Sequence, residues 1–261
     1  HAYQPDPPAL GGDEGMTNKI SRNQRELIIA SCSVVLTSTV FLTVSYIVPI
    51  ITWSIPISHP FQRSAIVSFS SDDGGLDDLN SAIIMRESGY RMTFYVVSSF
   101  VGLPYHLDYD QLLTLQSEGF EIGSHSTTHA KLTTLPLANA TKEIVDSKMI
   151  LESHGLRINC FAFPYGLHNA ALDVVANQTY DYVRYNYTEL STSVYGLIDQ
   201  SISNETWVNF NFHGLNSWGH VLYDNHPIDL KLRDILSYLA QRSVPVLTQI
   251  QAYYLNEIEM E

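Results

Sequence analysis

Two histidines stand four residues apart in Gly123-Ser124-His125-Ser126-Thr127-Thr128-His129, and two aspartates adjoin in the upstream run Ser70-Ser71-Asp72-Asp73-Gly74-Gly75. Imidazole nitrogen and carboxylate oxygen are both ligands for a divalent ion such as zinc, so the two stretches together hold a candidate metal site. A helical turn from His125 to His129 would put both rings on one face, aimed at one cation. Of the two aspartates, one can ligate and the other can act as a base. Two histidines at this spacing are by themselves weak evidence, because most such pairs are ordinary surface or core residues. Context strengthens them. The strand-like run Ser64-Ala65-Ile66-Val67-Ser68-Phe69 leads into the aspartates, and Phe120-Glu121-Ile122-Gly123 leads into the histidines. Barrel and open-sheet α/β enzymes place their chemistry just past the carboxyl ends of their strands.

The elements that must position these groups follow from short apolar runs and longer amphipathic ones. Strands are predicted over 65–70, 92–97, 120–123, 160–163, 182–185, 207–212 and 244–247. Helices are predicted over 76–88, 109–118, 136–154, 170–176 and 228–242. Seven such strands separated by helices imply a parallel β/α sheet closed into a barrel. Asp72 and Asp73 have a plainer reading as caps of the helix that starts near Gly75. Asp77 and Asp78 read as helix-start charges.

The chain has 261 residues, of which 45% are hydrophobic and 16% charged, enough to bury one sizeable core. Its formal net charge of -13 excludes a row of phosphates, hence nucleic acid, as partner. Residues 1–26 read as a disordered tail, cytoplasmic by the argument below, with Lys19, Arg22 and Arg25 near its end. From Leu27 to Ile57 no residue is charged, a run longer than the roughly 20 apolar residues that span a bilayer. The reading is one retained transmembrane helix over 27–57, with Pro49 and Pro56 ending or kinking it. Basic residues before the run put the N-terminus in the cytoplasm and the domain over 58–261 outside. Asn139, Asn177, Asn186 and Asn204 each open an N-x-Thr sequon, which suits that placement. Cys32 and Cys160 are expected to be free thiols.

Taken in order, Asp72-Asp73-Gly74, Thr93-Phe94-Tyr95-Val96-Val97, Glu121 to His129, Phe161-Ala162-Phe163-Pro164-Tyr165-Gly166 and Phe212-His213-Gly214 resemble the motifs of the polysaccharide deacetylases, the NodB-homology family of carbohydrate esterases. The resemblance covers roughly residues 64–255. It implies a distorted (β/α) barrel and a divalent metal, commonly Zn2+, held by Asp73, His125 and His129. It also implies Asp72 as catalytic base, a backbone N–H beside Tyr165 for the oxyanion, and His213 as general acid. The family's frequent Arg ahead of the Pro is replaced by Ala162 and Phe163. Arg184 resembles the Arg that some relatives supply instead, and reads equally as an ordinary surface Arg. Ser71 replaces the bulky residue usual before Asp-Asp-Gly. His220 and His226 rival His213, and Asp199 is the candidate acidic partner for it. Trp218 and Tyr165 are candidates to stack on sugars.

The activity expected is hydrolysis of the N-acetyl amide of amino sugars in a glycan. Two other readings compete, a carbohydrate-binding relative without turnover and a membrane interaction protein whose domain is only a scaffold.

Overall fold

Seven strands, every pair of them parallel, build one sheet in the computed structural model, which describes residues 65–215, 220–223 and 226–258. They are β1 (Ile66–Ser71), β2 (Thr93–Val96), β3 (Glu121–Ser124), β4 (Cys160–Ala162), β5 (Tyr182–Arg184), β6 (Thr188–Glu189) and β7 (Trp207–Phe212). Their order is β5-β4-β3-β2-β1-β7-β6. The crossovers carry α1 (Asp78–Glu87), α2 (Tyr109–Ser117), α3 (Leu137–Ser153), α4 (Ala170–Thr179) and α5 (Val194–Asn204). A small antiparallel pair, β8 (His220–Tyr223) and β9 (His226–Lys231), precedes α6 (Leu232–Gln241) and α7 (Gln249–Ile258). These elements all fall within the compact unit His59–Glu261. The tail expected over 1–26, the anchor expected over 27–57, Cys32 and Trp218 lie outside the described residues. Among the described residues, no helix is long and apolar enough to cross a membrane.

β1 explains why the site sits where it does. Its sequence alternates large apolar with small polar residues, so the period of two gives it unlike faces. Val67 and Phe69 enter the main apolar core, while Ser68 and Ser70 face the concave side. There Ser68 Oγ accepts from Trp207 Nε1 at 3.0 Å and Ser70 Oγ donates to Asn211 Oδ1 at 2.9 Å. Being buried on both faces is what a central parallel strand requires. Outside the sheet, Leu232, Ile235, Leu236 and Leu239 form the buried stripe of α6 at helical spacing. Burying each contributes about 1.5–3 kcal/mol. A capping box between Asp108 and Gln111 starts α2, and the Asn169 side chain caps α4.

The sheet is curled. Laid flat, β5 and β1 would be four strand spacings apart, about 19 Å. Yet Arg184 at the end of β5 bonds Asp72, just past β1, at 2.6 Å. Curling stops short of a closed barrel, because among the described residues the edge strands β5 and β6 do not pair. Side chains bridge that seam: the Tyr182 ring lies 5.8 Å from Trp207, and Asn209 Nδ2 donates to Asn186 O at 3.5 Å. The fold is therefore an open, curled half-barrel, a correction to the closed barrel expected from the pattern.

Three other expectations change. The seventh predicted strand, 244–247, makes only an isolated bridge, Val246 to Val67, wedged beside the amino end of β1. The helix expected from Ile228 begins at Leu232, because 226–231 is β9. The two-residue β6 and helices α5 and α7 were not predicted; α5 runs Val-Tyr-Gly-Leu, with a glycine that obscures its period.

Candidate active site

Past the carboxyl end of β1 the chain turns sharply, with φ of 74° at Asp73 and 68° at Gly74. A Cβ on Gly74 would stand 2.8 Å from Val96 Cγ1, so this turn needs glycine for space as well as conformation. The turn points the two carboxylates in different directions. Asp73 Oδ1 lies 3.3 Å from His129 Nε2 and 3.8 Å from His125 Nε2, and one ligand atom from each residue falls within 4.8 Å of the others. Two atoms bound to one tetrahedral zinc at about 2.0–2.1 Å stand about 3.3 Å apart. The trio fits a divalent ion, and a second observation agrees: Asp73 Oδ1 is buried with no hydrogen-bond partner, a costly condition for a carboxylate oxygen.

The histidines do not converge by a helix. After β3 the backbone enters an irregular loop with φ of 68° at Ser126 and 61° at His129. Glu143, reaching in from α3, accepts from Thr127 N at 3.1 Å, Thr128 N at 2.8 Å and Thr128 Oγ1 at 2.7 Å, which pins the loop between the two rings. His125 is buried, and its Nδ1 donates to Ala162 O at 2.8 Å, leaving Nε2 with its lone pair toward Asp73. Burial lowers the His125 pKa, outweighing the opposite pull of Asp72 and Asp73, and so favours the neutral imidazole that ligates. The His129 ring packs 4.6 Å from that of Tyr165.

Asp72 sits beside this trio in a different state. Its Oδ2 is 3.8 Å from His125 Nε2, near enough to compete as a ligand. Three of its roughly four lone-pair sites are taken, and one on Oδ1 stays free. Arg184 Nη1 donates to Oδ1 at 2.8 Å, Nη2 to Oδ2 at 2.6 Å, and Asn211 Nδ2 to Oδ2 at 3.2 Å. Arg184 Nη1 also donates to Ser70 Oγ and Asn211 Oδ1, and the guanidinium lies 4.7 Å from both the Tyr95 and Tyr187 ring centroids. Burial pushes the Asp72 carboxyl up, but the Arg184 guanidinium with His125 more than offsets this and holds it well below the usual carboxylate range.

β7 delivers His213 to the same cleft. Asp72 N donates to Phe212 O at 3.3 Å and Gly214 N to Ser71 Oγ at 3.0 Å, so the ends of β1 and β7 are stitched together. The small Ser71 is what permits that second bond. Gly214 is equally required, because a Cβ there would meet the Asp77 carboxylate at 2.2 Å. His213 is exposed and lines, with Asp72, Asp73 and Asp77, a cavity of about 710 Å3. Tyr165 holds φ of 60° in the Phe163-Pro164-Tyr165-Gly166 turn. Gly166 N and Leu167 N turn back to Phe163 O and Pro164 O, leaving the Tyr165 N–H without a partner among the described residues.

Of the residues singled out from sequence, the structure brings Asp73, His125 and His129 together, with Asp72 and Arg184 alongside. Arg184 is a buried partner of Asp72, not a surface Arg. Asp199 is not near His213: it binds Tyr238 and Arg242 on the surface, and the acid beside Gly214 is Asp77. His220 and His226 open β8 and β9. Asp78 does begin α1 but is fully buried, with neither carboxyl oxygen hydrogen-bonded; burial pushes its pKa well up, and nearby Asp77, Asp72 and Asp73 add to this. Asn211 and Glu143 were missed. The alternation Val208-Asn209-Phe210-Asn211-Phe212 carried a signal for the first, amides at every second position of a strand whose other residues are apolar.

A curled parallel α/β sheet with a carboxylate and two imidazoles at its carboxyl edge defines the class, and comparison with known proteins narrows it. The family model described as polysaccharide deacetylase matches residues 63–183. Peptidoglycan deacetylase PdaC from Bacillus subtilis is similar in structure, with a TM-score of 0.54 at 20% identity over 76% of this chain and 94% of that one. The Xyl-CE4 domain of a xylanase from the hindgut metagenome of Trinervitermes trinervoides gives 0.56 at 16% identity over 74% and 92%. The family 4 carbohydrate esterase from Streptomyces lividans, solved with acetate, gives 0.54 at 19% over 70% and 91%. These likenesses establish the shared fold. A gellan lyase from a Bacillus species is 33% identical over 85 residues, which span 32% of this chain and 3% of that protein.

Proposed function

We propose that this protein is a metal-dependent hydrolase that removes acetyl groups from N-acetylated amino sugars in a glycan. The observation that carries the reading is the division of labour between adjacent aspartates: one with an unpartnered oxygen facing two imidazoles, the other held by both Arg184 nitrogens with one acceptor site on Oδ1 left over. Asp73, His125 and His129 are the residues that would hold the ion, and three protein ligands are the number that leaves a position open. When bound, a divalent ion, zinc being the simplest choice, supplies a Lewis acid that acidifies water and polarises the amide carbonyl.

The depressed pKa of Asp72 makes that acidification necessary. A carboxylate held so low is a poor acceptor for the proton of free water. A bound ion that lowered the water's pKa from about 15.7 to about 7 would remove about 12 kcal/mol from the transfer to Asp72. Arg184 and Asn211 keep the acceptor oxygens of Asp72 in place and ionised while water attacks the carbonyl carbon. The Tyr165 N–H donates to the oxygen that gains charge. His213, across the cleft, gives a proton to the nitrogen as the C–N bond breaks, so acetate and a free amine leave. The same reading sets the domain outside a membrane, on the strength of the uncharged run 27–57 and the basic residues before it.

Acetate release by the full chain from N-acetylglucosamine oligomers, with chelator and metal add-back, tests the proposal. The expected result is release that chelator abolishes and divalent metal restores. Release that persists in chelator, or none from any N-acetylated glycan, would overturn it.

A further inference from the structure

We propose that Tyr105 is a stacking platform for a neighbouring sugar of the glycan, so that the site takes an oligomer in preference to a single N-acetylated sugar. The proposal rests on the deacetylase reading above. Tyr105 is 85% exposed and buries its ring against nothing in the fold. Its backbone nevertheless sits at φ of 68°, a conformation that bulky residues rarely adopt. The loop does not drift there. Tyr105 O accepts from Leu76 N at 2.8 Å, Leu107 N donates to Gly74 O at 3.0 Å, and Gly102 N donates to Leu107 O at 2.9 Å. The His106 ring packs 5.0 Å from Phe100. The strain is thus imposed by bonds to the same turn that carries Asp72 and Asp73. Packing gives no reason to display a large ring in this way, and strain held by its surroundings gathers where ligands bind.

The cavity supplies the second reason. Tyr105, Leu76 and His106 line it together with Asp72, Asp73 and His213. At about 710 Å3 it has the size of a pocket for a whole small molecule, and an acetamido group fills little of it. A pyranose ring offers an apolar C–H face to an aromatic ring and hydroxyls to the polar groups beside it, here Asp77 and Asn80. Tyr165, 53% exposed and also at positive φ, packs on His129, so a second exposed tyrosine stands beside the Asp73, His125 and His129 trio.

The test compares wild type, Tyr105→Ala and Tyr105→Trp on N-acetylglucosamine and its di- to pentasaccharides, reading kcat and KM separately. Binding of the pentasaccharide is titrated in parallel on an Asp72→Asn background, with and without the Tyr105 changes. Tyr105→Ala is expected to raise KM and Kd for the longer oligomers about tenfold, with kcat and all monosaccharide parameters within about twofold, and Tyr105→Trp to restore them. Unchanged oligomer KM and Kd in Tyr105→Ala would overturn the platform. An equal loss on monosaccharide and oligomer would overturn it too, showing a role in loop structure. If wild type releases acetate from no sugar in the series, the deacetylase reading fails, and the titration alone judges Tyr105.

Discussion

The side of the site built on β1, β5 and β7 differs from the side built on the loop after β3 in how fully its polar atoms are satisfied. On the first side Asp72, Arg184, Asn211 and Ser70 bond one another, are buried, and leave little for a ligand to take. On the second, Asp73, His125 and His129 converge without bonding one another, and Asp73 Oδ1 has no donor. Asp72 and Asp73 are covalent neighbours with the same functional group. The difference teaches that roles in such a pair are assigned by what already occupies the lone pairs, since distance to His125 Nε2 is 3.8 Å for both.

The largest expected effect comes from the ligand side. Asp73→Ala should abolish stoichiometric divalent metal, measured by elemental analysis after dialysis, and activity with it. Asp72→Asn should keep the metal and lower kcat about 10^3-fold. Metal loss in Asp72→Asn, or metal retention in Asp73→Ala, would break the comparison.

Next comes Arg184→Met, which strips the charge partner from a buried carboxylate and should destabilise the fold by about 3–5 kcal/mol in denaturant titration. The pH dependence should change sign as well. In wild type Asp72 is depressed, so its contribution is present above its unfolded pKa, about 3.9, and is lost as pH falls below that. Without Arg184, burial dominates and raises the pKa. The native state then binds more protons than the unfolded one, and stability falls as pH rises above about 3.9.

The smallest effect sharpens the contrast from outside both groups. Asp78→Asn should stabilise the protein at pH 7 by about 1–2 kcal/mol, because the buried carboxyl has no hydrogen-bond partner. The wild-type carboxyl is raised, so it already binds its proton above the ordinary carboxylate range, and the advantage of Asn should shrink as pH falls and vanish at about 3.9. Thermal melts at pH 4 and pH 7 read this directly.

The strands that carry the site were legible because each is a short apolar run ending in a polar cluster, and five of the helices showed their period. What escaped depended on curvature. Nothing in the spacing of Arg184 from Asp72 says that the edge strand β5 folds back over β1, so a surface Arg was an equal reading. The His125 to His129 spacing suggested a helix, whereas positive φ at Ser126 and His129, with Glu143 as brace, brings the rings together by another path. Asp199, the candidate acidic partner of His213, is instead exposed and bonded to Tyr238 and Arg242, which no sequence feature announces. Segment 244–247 has strand composition, but it meets the sheet through the single bridge of Val246 to Val67, at the amino end of β1.

That arrangement bears on how the chain is made. Val67 in β1 is flanked by Val208 and Val246, both synthesised long after it. At roughly 5–20 residues added per second, β1 waits on the order of ten seconds for those neighbours to exist. Throughout that interval the amino half of a sticky ribbon, paired only at Ser70 and Ser71 with β2, is open to strangers, so loss of segment 244–247 should be felt first as aggregation of nascent protein through β1.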